Sequence, residues 1–155
     1  MYATVNDVRD ALDSGALLRL VDDENEGYTA AGELRAKQQG RVNKALTDAG
    51  NEADTYISQR YDLPLPSTPP VLRGKVVDIT VWNLFARRGL GDADEVVRER
   101  YKNAVRWLEG LAVGKVSLPL APSGGGEGGS APPQAGGASI RAQPRRFSRD
   151  TMDGF

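Results

Sequence analysis

The chain has 155 residues, 39% of them hydrophobic and 26% charged, and its 20 Lys and Arg against 21 Asp and Glu give a net charge of −1. That length suits a single domain, and the even balance gives no global pull toward a nucleic-acid backbone. Cys and His are absent, which removes zinc fingers, iron–sulfur sites, thiol chemistry, disulfide scaffolds and every His-based triad.

Thr4 is placed to N-cap a first short helix, with Asp7 at its third position standing in for the longer capping-box Glu. Val5, Val8 and Leu12 line its stripe. After Ser14-Gly15, Ala16 to Val21 suits a short apolar turn or helix, and the acidic run Asp22 to Gly27 suits a loop. A long amphipathic helix then begins between Thr29 and Gln38 and ends near Tyr61, its core stripe being Val42, Ala45, Leu46, Ala49, Ala53, Tyr56 and Ile57. Leu63-Pro64-Leu65-Pro66 and Pro69-Pro70 stop it and make a stiff extended connection.

Pro70 fits the first turn of a third helix running to about Arg88. That helix is apolar almost all round and is expected at the centre of a bundle; Gly89 and Gly91 end it. Asp92 is placed to cap a fourth, with the stripe Val97, Tyr101, Ala104, Val105, Leu108, Leu111 and Ala112. Gly114 closes it, and Val116 to Leu120 reads as a short extended exit. Four helices with no strand pattern mean a small all-α bundle, spanning residues 1–120.

Residues 121–139, APSGGGEGGSAPPQAGGAS, hold nothing but Gly, Ala, Ser and Pro apart from Glu127 and Gln134. Such a stretch cannot offset its own ordering entropy and reads as a flexible linker. As a Gly-rich coil it would span about 24 Å on average and roughly 65 Å at full extension. Residues 140–155, IRAQPRRFSRDTMDGF, regain large apolar side chains and carry four Arg against two Asp, whereas residues 1–120 hold 16 basic and 18 acidic groups, net −2. A domain, a tether and a basic, aromatic arm is the expected layout. Met1 to Asp10 has neither the basic nor the apolar region of a signal peptide. The most apolar stretch, Val76 to Ala86, is broken by Asp78 and far short of the ~20 residues of a membrane span. A soluble protein with no membrane partner is expected.

Asp22, Glu24, Glu26, Gly27 and Glu33 fall at positions 1, 3, 5, 6 and 12 of a calcium-binding loop. Glu replaces the shorter ligands at two positions, and Ala30 offers none at the ninth, so a solvated acidic turn is the better account. Gly124 to Gly129 lacks the strand, helix and Lys of a phosphate loop. Asp78 stands alone in an apolar helix and reads as a buried polar group paired with an Arg such as Arg73 or Arg106. A carboxylate-dependent hydrolase would need a second buried acid, and none is evident. Arg87, Arg88, Arg98, Arg100, Lys102 and Arg106 form a basic run through the third and fourth helices. Glu95 and Glu99 alternate with Arg98 and Lys102 in the pattern of a solvated face. Neither a cofactor nor catalysis is indicated.

The order of these signals resembles the Mu-like phage head–tail connector family, also described as adaptor or head-completion proteins. The matching pieces are Tyr2-Ala3-Thr4 with Val8, Leu17 to Asp23, Ala53 to Tyr56, Arg60 to Leu65, Pro69-Pro70, Val77 to Ile79, Arg100-Tyr101, Ala104, Arg106 to Leu108, Gly114 to Leu118, Phe147 to Asp150 and Gly154-Phe155. Gly27 to Gln39 departs from the family's compact loop by being longer and more polar. The resemblance implies a non-enzymatic virion protein made in the host cytoplasm. It would assemble as a homo-oligomeric ring, typically of twelve copies, under the portal, extend the DNA channel without sequence-specific binding, and present a surface to the tail-side neck or tail terminator protein. It further implies that the C-terminal segment reaches the portal. Arg141, Arg145, Arg146 and Arg149 would steer and bond, Phe147 and Phe155 would anchor, and Ser148 and Asp150 lie in the same segment. The alternative from another class is a helical DNA-binding or regulatory module that uses the basic third and fourth helices.

Overall fold

The computed structural model describes residues 1–89 and 95–120. Among these residues there are five helices and no strand: α1 (Val5–Ala11), α2 (Ser14–Val21), α3 (Ala36–Ile57), α4 (Pro70–Arg87) and α5 (Glu95–Ala112). The all-α expectation holds, with five helices in place of four. The added one is α2, which the sequence left between turn and helix. The Asp13 carboxylate caps it by accepting the Ala16 N–H at 2.8 Å, and Leu17, Leu20 and Val21 are buried beneath it. Capping and a buried stripe together stabilise a helix too short to form alone. The expected Asp92 cap, Gly91, the linker 121–139 and the arm 140–155 lie outside the described residues.

α1 begins with a reciprocal box. The Thr4 N–H donates to the Asp7 carboxylate at 2.7 Å while the Asp7 N–H donates back to Thr4 Oγ1 at 3.3 Å. α3 starts where its third residue, Gln38, becomes buried: the Gln38 carboxamide accepts the Arg35 N–H at 2.9 Å and donates to the Gly27 carbonyl at 3.1 Å. One side chain thus fixes both the helix start and the polar loop before it. The stripe from Val42 to Ile57 is buried as expected, with Tyr56 half-buried.

α4 has Pro70 at its first turn and packs against α1, α2, α3 and α5; α3 likewise meets every other helix, so α4 and its partner α3 form the centre of the bundle. Leu72, Val76, Ile79 and Leu84 are fully enclosed there. Gly89 and Gly114 end α4 and α5 with positive φ of 63° and 82°, a conformation that costs a residue with a Cβ about 1–2 kcal/mol. At Gly114 a Cβ would also meet the Arg60 guanidinium, the end of a flexible side chain that can move aside, so the backbone conformation is what favours glycine. Beyond Gly114 the chain is fastened by Tyr61, whose hydroxyl accepts the Leu118 N–H at 2.8 Å in the interior. Leu118 itself is buried.

Candidate docking surfaces

The acidic loop after α2 is the most heavily paired part of the surface. Asp23 holds three arginines: Arg87 Nη1 at 2.7 Å, Arg88 Nη1 at 2.9 Å and Arg41 Nε at 3.1 Å. Arg41 also grips Glu24 through both terminal nitrogens, at 2.8 and 2.9 Å, and donates to the Val21 carbonyl. Arg87 reaches the Leu20 carbonyl as well. Asp22 turns inward on its own loop, accepting the Glu26 and Gly27 N–H groups at 3.0 and 2.8 Å, and Glu26 lies 3.8 Å from Arg35. Three of the carboxylates considered for calcium, Asp22, Glu24 and Glu26, are therefore engaged by arginines and backbone amides, and Glu33 lies apart from them. Among the described residues no three acidic side chains gather as a metal site. What the loop does instead is tie α2, α3 and α4 together.

That clamp has a pH signature. The Asp23 carboxyl is held below the ordinary aspartate range, first by the hydrogen bond from Arg87, against a smaller opposing push from burial, with the charges of Arg87, Arg41 and Arg88 adding to it. A group whose folded value lies below the unfolded value of about 3.9 gives stability that is complete above that pH and fades as the pH falls beneath it. Asp22 and Asp7 are shifted the same way by their amide and hydroxyl donors. The midpoint of urea unfolding is expected to drop as the pH is lowered from about 5 to about 3. The Asp23→Asn variant should start lower at neutral pH and fall less steeply. A wild-type midpoint flat across that range would contradict the clamp.

The basic run of α4 and α5 is likewise engaged. Arg100 Nε and Nη2 both reach Asp78 Oδ1, at 2.8 and 2.7 Å, with the Asp78 side chain only 13% exposed. The predicted partners, Arg73 or Arg106, are thus corrected to Arg100. Arg73 lies five residues back on the same helix and faces another direction, and Arg106 sits nearly two turns further along α5. Lys102 meets Glu99 at 2.8 Å and Arg98 meets Glu95 at 3.7 Å, the i, i+3 pairs expected of a solvated face. Arg106 donates to Asn103.

Both tryptophans are half-buried, and Trp82 stacks on Tyr101 with ring centroids 5.1 Å apart. The Tyr101 hydroxyl points at Glu52. Burial pushes the Glu52 carboxyl up, and the bond from Tyr101 partly offsets it.

Two hollows remain. The first, about 570 Å3, lies between the chain start, α3 and the proline-rich connection, and is lined by Tyr2, Leu46, Gly50, Asp54, Leu63 and Leu65 among others. Tyr2 donates its hydroxyl to Asp54 at its side, and burial first, then Asp54, holds that hydroxyl well above the usual phenol range, so it stays a donor. Three segments on which the resemblance rests, around Tyr2, Asp54 and Leu63 to Leu65, meet in this cleft. The sequence carries no signal for the Tyr2–Asp54 bond, which spans 52 positions. The second hollow, about 470 Å3, lies between α2 and the end of α4, lined by Ala16, Arg19, Leu20, Phe85 and Arg88. The expected arm residues, Arg141, Arg145, Arg146, Phe147, Ser148, Arg149, Asp150 and Phe155, lie outside the described residues.

The family described as Bacteriophage Mu, Gp36 matches residues 2–139. The chain belongs to this family. The match takes in all five helices and the Gly- and Pro-rich stretch, and stops at residue 139, before the arm. A relative within the Gp36 group is the Mu-like prophage FluMu protein gp36 of Haemophilus influenzae, 29% identical over 123 residues, which are 79% of this chain and 81% of the relative. This Gp36 member is therefore a phage protein. Among its described residues no helix is long and apolar enough to cross a membrane.

Proposed function

We propose that this protein is a structural, non-enzymatic component of a tailed-phage virion that sits beneath the portal and joins head to tail. Several copies, twelve in the expected arrangement, form a ring that continues the DNA channel and offers its far face to a neck or tail terminator protein. The observation that carries this reading is the Gp36 family match across residues 2–139, which takes in the helical body. Its paired charges suit a channel component. Arg87, Arg88, Arg98, Arg100 and Lys102 already hold carboxylates, so of the basic run through α4 and α5 only Arg106 is left without one to meet passing phosphates. Those same pairs count against the DNA-binding alternative.

The domain layout belongs to the same proposal. Residues 1–120 form the ring-building body, 121–139 tether it, and 140–155 dock on the portal through Arg side chains and aromatic anchors. Arms repeated around a ring multiply a weak individual contact.

Deleting the gene from the phage that encodes it tests the role directly. Electron micrographs of the lysate are expected to show filled or leaking heads and separate tails, and supplying the protein should restore joined virions. Intact, tailed, infectious particles from the deletion strain would overturn the reading.

A further inference from the structure

α4 is 18 residues long, so its two ends lie about 27 Å apart, and the surfaces at those ends complement one another. Just before α4, Leu63 stands 38% exposed with Asp62 exposed beside it. Their segment is anchored on both sides: Tyr61 is buried and bonded to Leu118, and Leu65 packs against the core. Pro64 and Pro66 restrict it further. It is a preorganised apolar knob at the rim of the first hollow, which Leu63 helps to line, with a carboxylate at its shoulder, and among the described residues Asp62 pairs with no cation.

At the other end, the hollow between α2 and α4 has an apolar lining of Ala16, Leu20 and Phe85 with Arg19 and Arg88 beside it. Arg88 already holds Asp23. Arg19 is exposed and meets no carboxylate among the described residues.

We infer that this knob and this hollow join neighbouring copies of the chain: Leu63 of one copy fills the Ala16–Leu20–Phe85 hollow of the next, and Asp62 meets Arg19. A phosphate backbone would satisfy the arginine but has nothing to place against Leu20 and Phe85, whereas an acidic residue followed by an exposed leucine satisfies both. Because the two patches differ and lie at opposite ends of one helix, the contact is heterologous. Repeated head to tail, such a contact closes into a ring when the rotation per copy allows it. The inference rests on the ring proposed above and names the surfaces that would build it.

The chain has no Cys, so single cysteines report cleanly. Full-length Leu63→Cys and Ala16→Cys proteins are mixed, free and on the portal, under a mild oxidant. As a control, Leu63→Cys is mixed with Thr47→Cys, an exposed site on α3. The linked dimer of the first pair is expected to form about tenfold faster than the control, as for groups held at high local concentration. Arg19→Glu in the Ala16→Cys chain should abolish the excess, and Asp62→Arg in its partner should bring it back. Rings whose Leu63–Ala16 pair links no faster than the control would overturn the inference and leave the ring standing. A protein that forms no assembly either free or on the portal would remove both.

Discussion

Replacing Ile79 by Ala is expected to lower the free energy of unfolding by about 2–5 kcal/mol, a large share of the 5–15 kcal/mol typical of a whole domain. Ile79 is fully enclosed in α4, which like α3 touches each of the other four helices. Removing its outer carbons loses their transfer energy and leaves a void that no neighbour can fill without disturbing a second helix contact. Val71 supplies the control. It lies on the same helix but is 56% exposed, so Val71→Ala should stay within about 0.5 kcal/mol of the parent. Urea unfolding with an unchanged slope checks both values. Equal effects at the two positions would contradict α4 at the centre of the core.

Tyr61→Phe should cost about 1–3 kcal/mol, for a different reason. Phe fills nearly the same space, so little packing is lost. The Leu118 N–H, however, loses its acceptor at a buried position, and an unpaired buried donor is costly. The damage should be local as well as global. Hydrogen exchange at the Leu118 amide is expected to speed up sharply, while amides in the middle of α3 and α4 lose only the protection that follows from lower overall stability. Unchanged exchange at Leu118 would show that the bond to Tyr61 does not hold the segment after α5.

The regular parts of this fold were legible because period and punctuation agreed. The α3 stripe, Pro70 at the start of α4, Gly89 and Gly114 at two helix ends and the Thr4–Asp7 box each follow from local sequence, and each is where it was expected. α2 was ambiguous because eight residues starting with Ser14-Gly15 carry too little periodicity to separate helix from turn. The start of α3 was open by ten residues, since the loop before it has no apolar rhythm. Its real signal was Gln38, a capping-box residue read only when the helix start is known.

Pairings between elements were the part that sequence could not supply. Whether Asp78 meets Arg73, Arg100 or Arg106 depends on the rotational phase of two helices, which no single stripe contains. The same holds for Asp23, whose three arginines come from two helices, and for Tyr2 with Asp54. For the function, the order of short segments was enough to indicate the Gp36 family. The arm lies outside the described residues, and its role is tested by binding.

The central claim is attachment to the portal through that arm, and a single comparison measures it. The full chain and a chain ending at Ser139 are each mixed with the cognate portal ring, and the complexes are weighed by size exclusion with light scattering. The account predicts that the full chain adds a ring's worth of mass and that the shortened chain, folded but without residues 140–155, adds none. A shortened chain that binds as well as the full one would contradict the arm's role, and a full chain that leaves the portal's mass unchanged would contradict the connector itself.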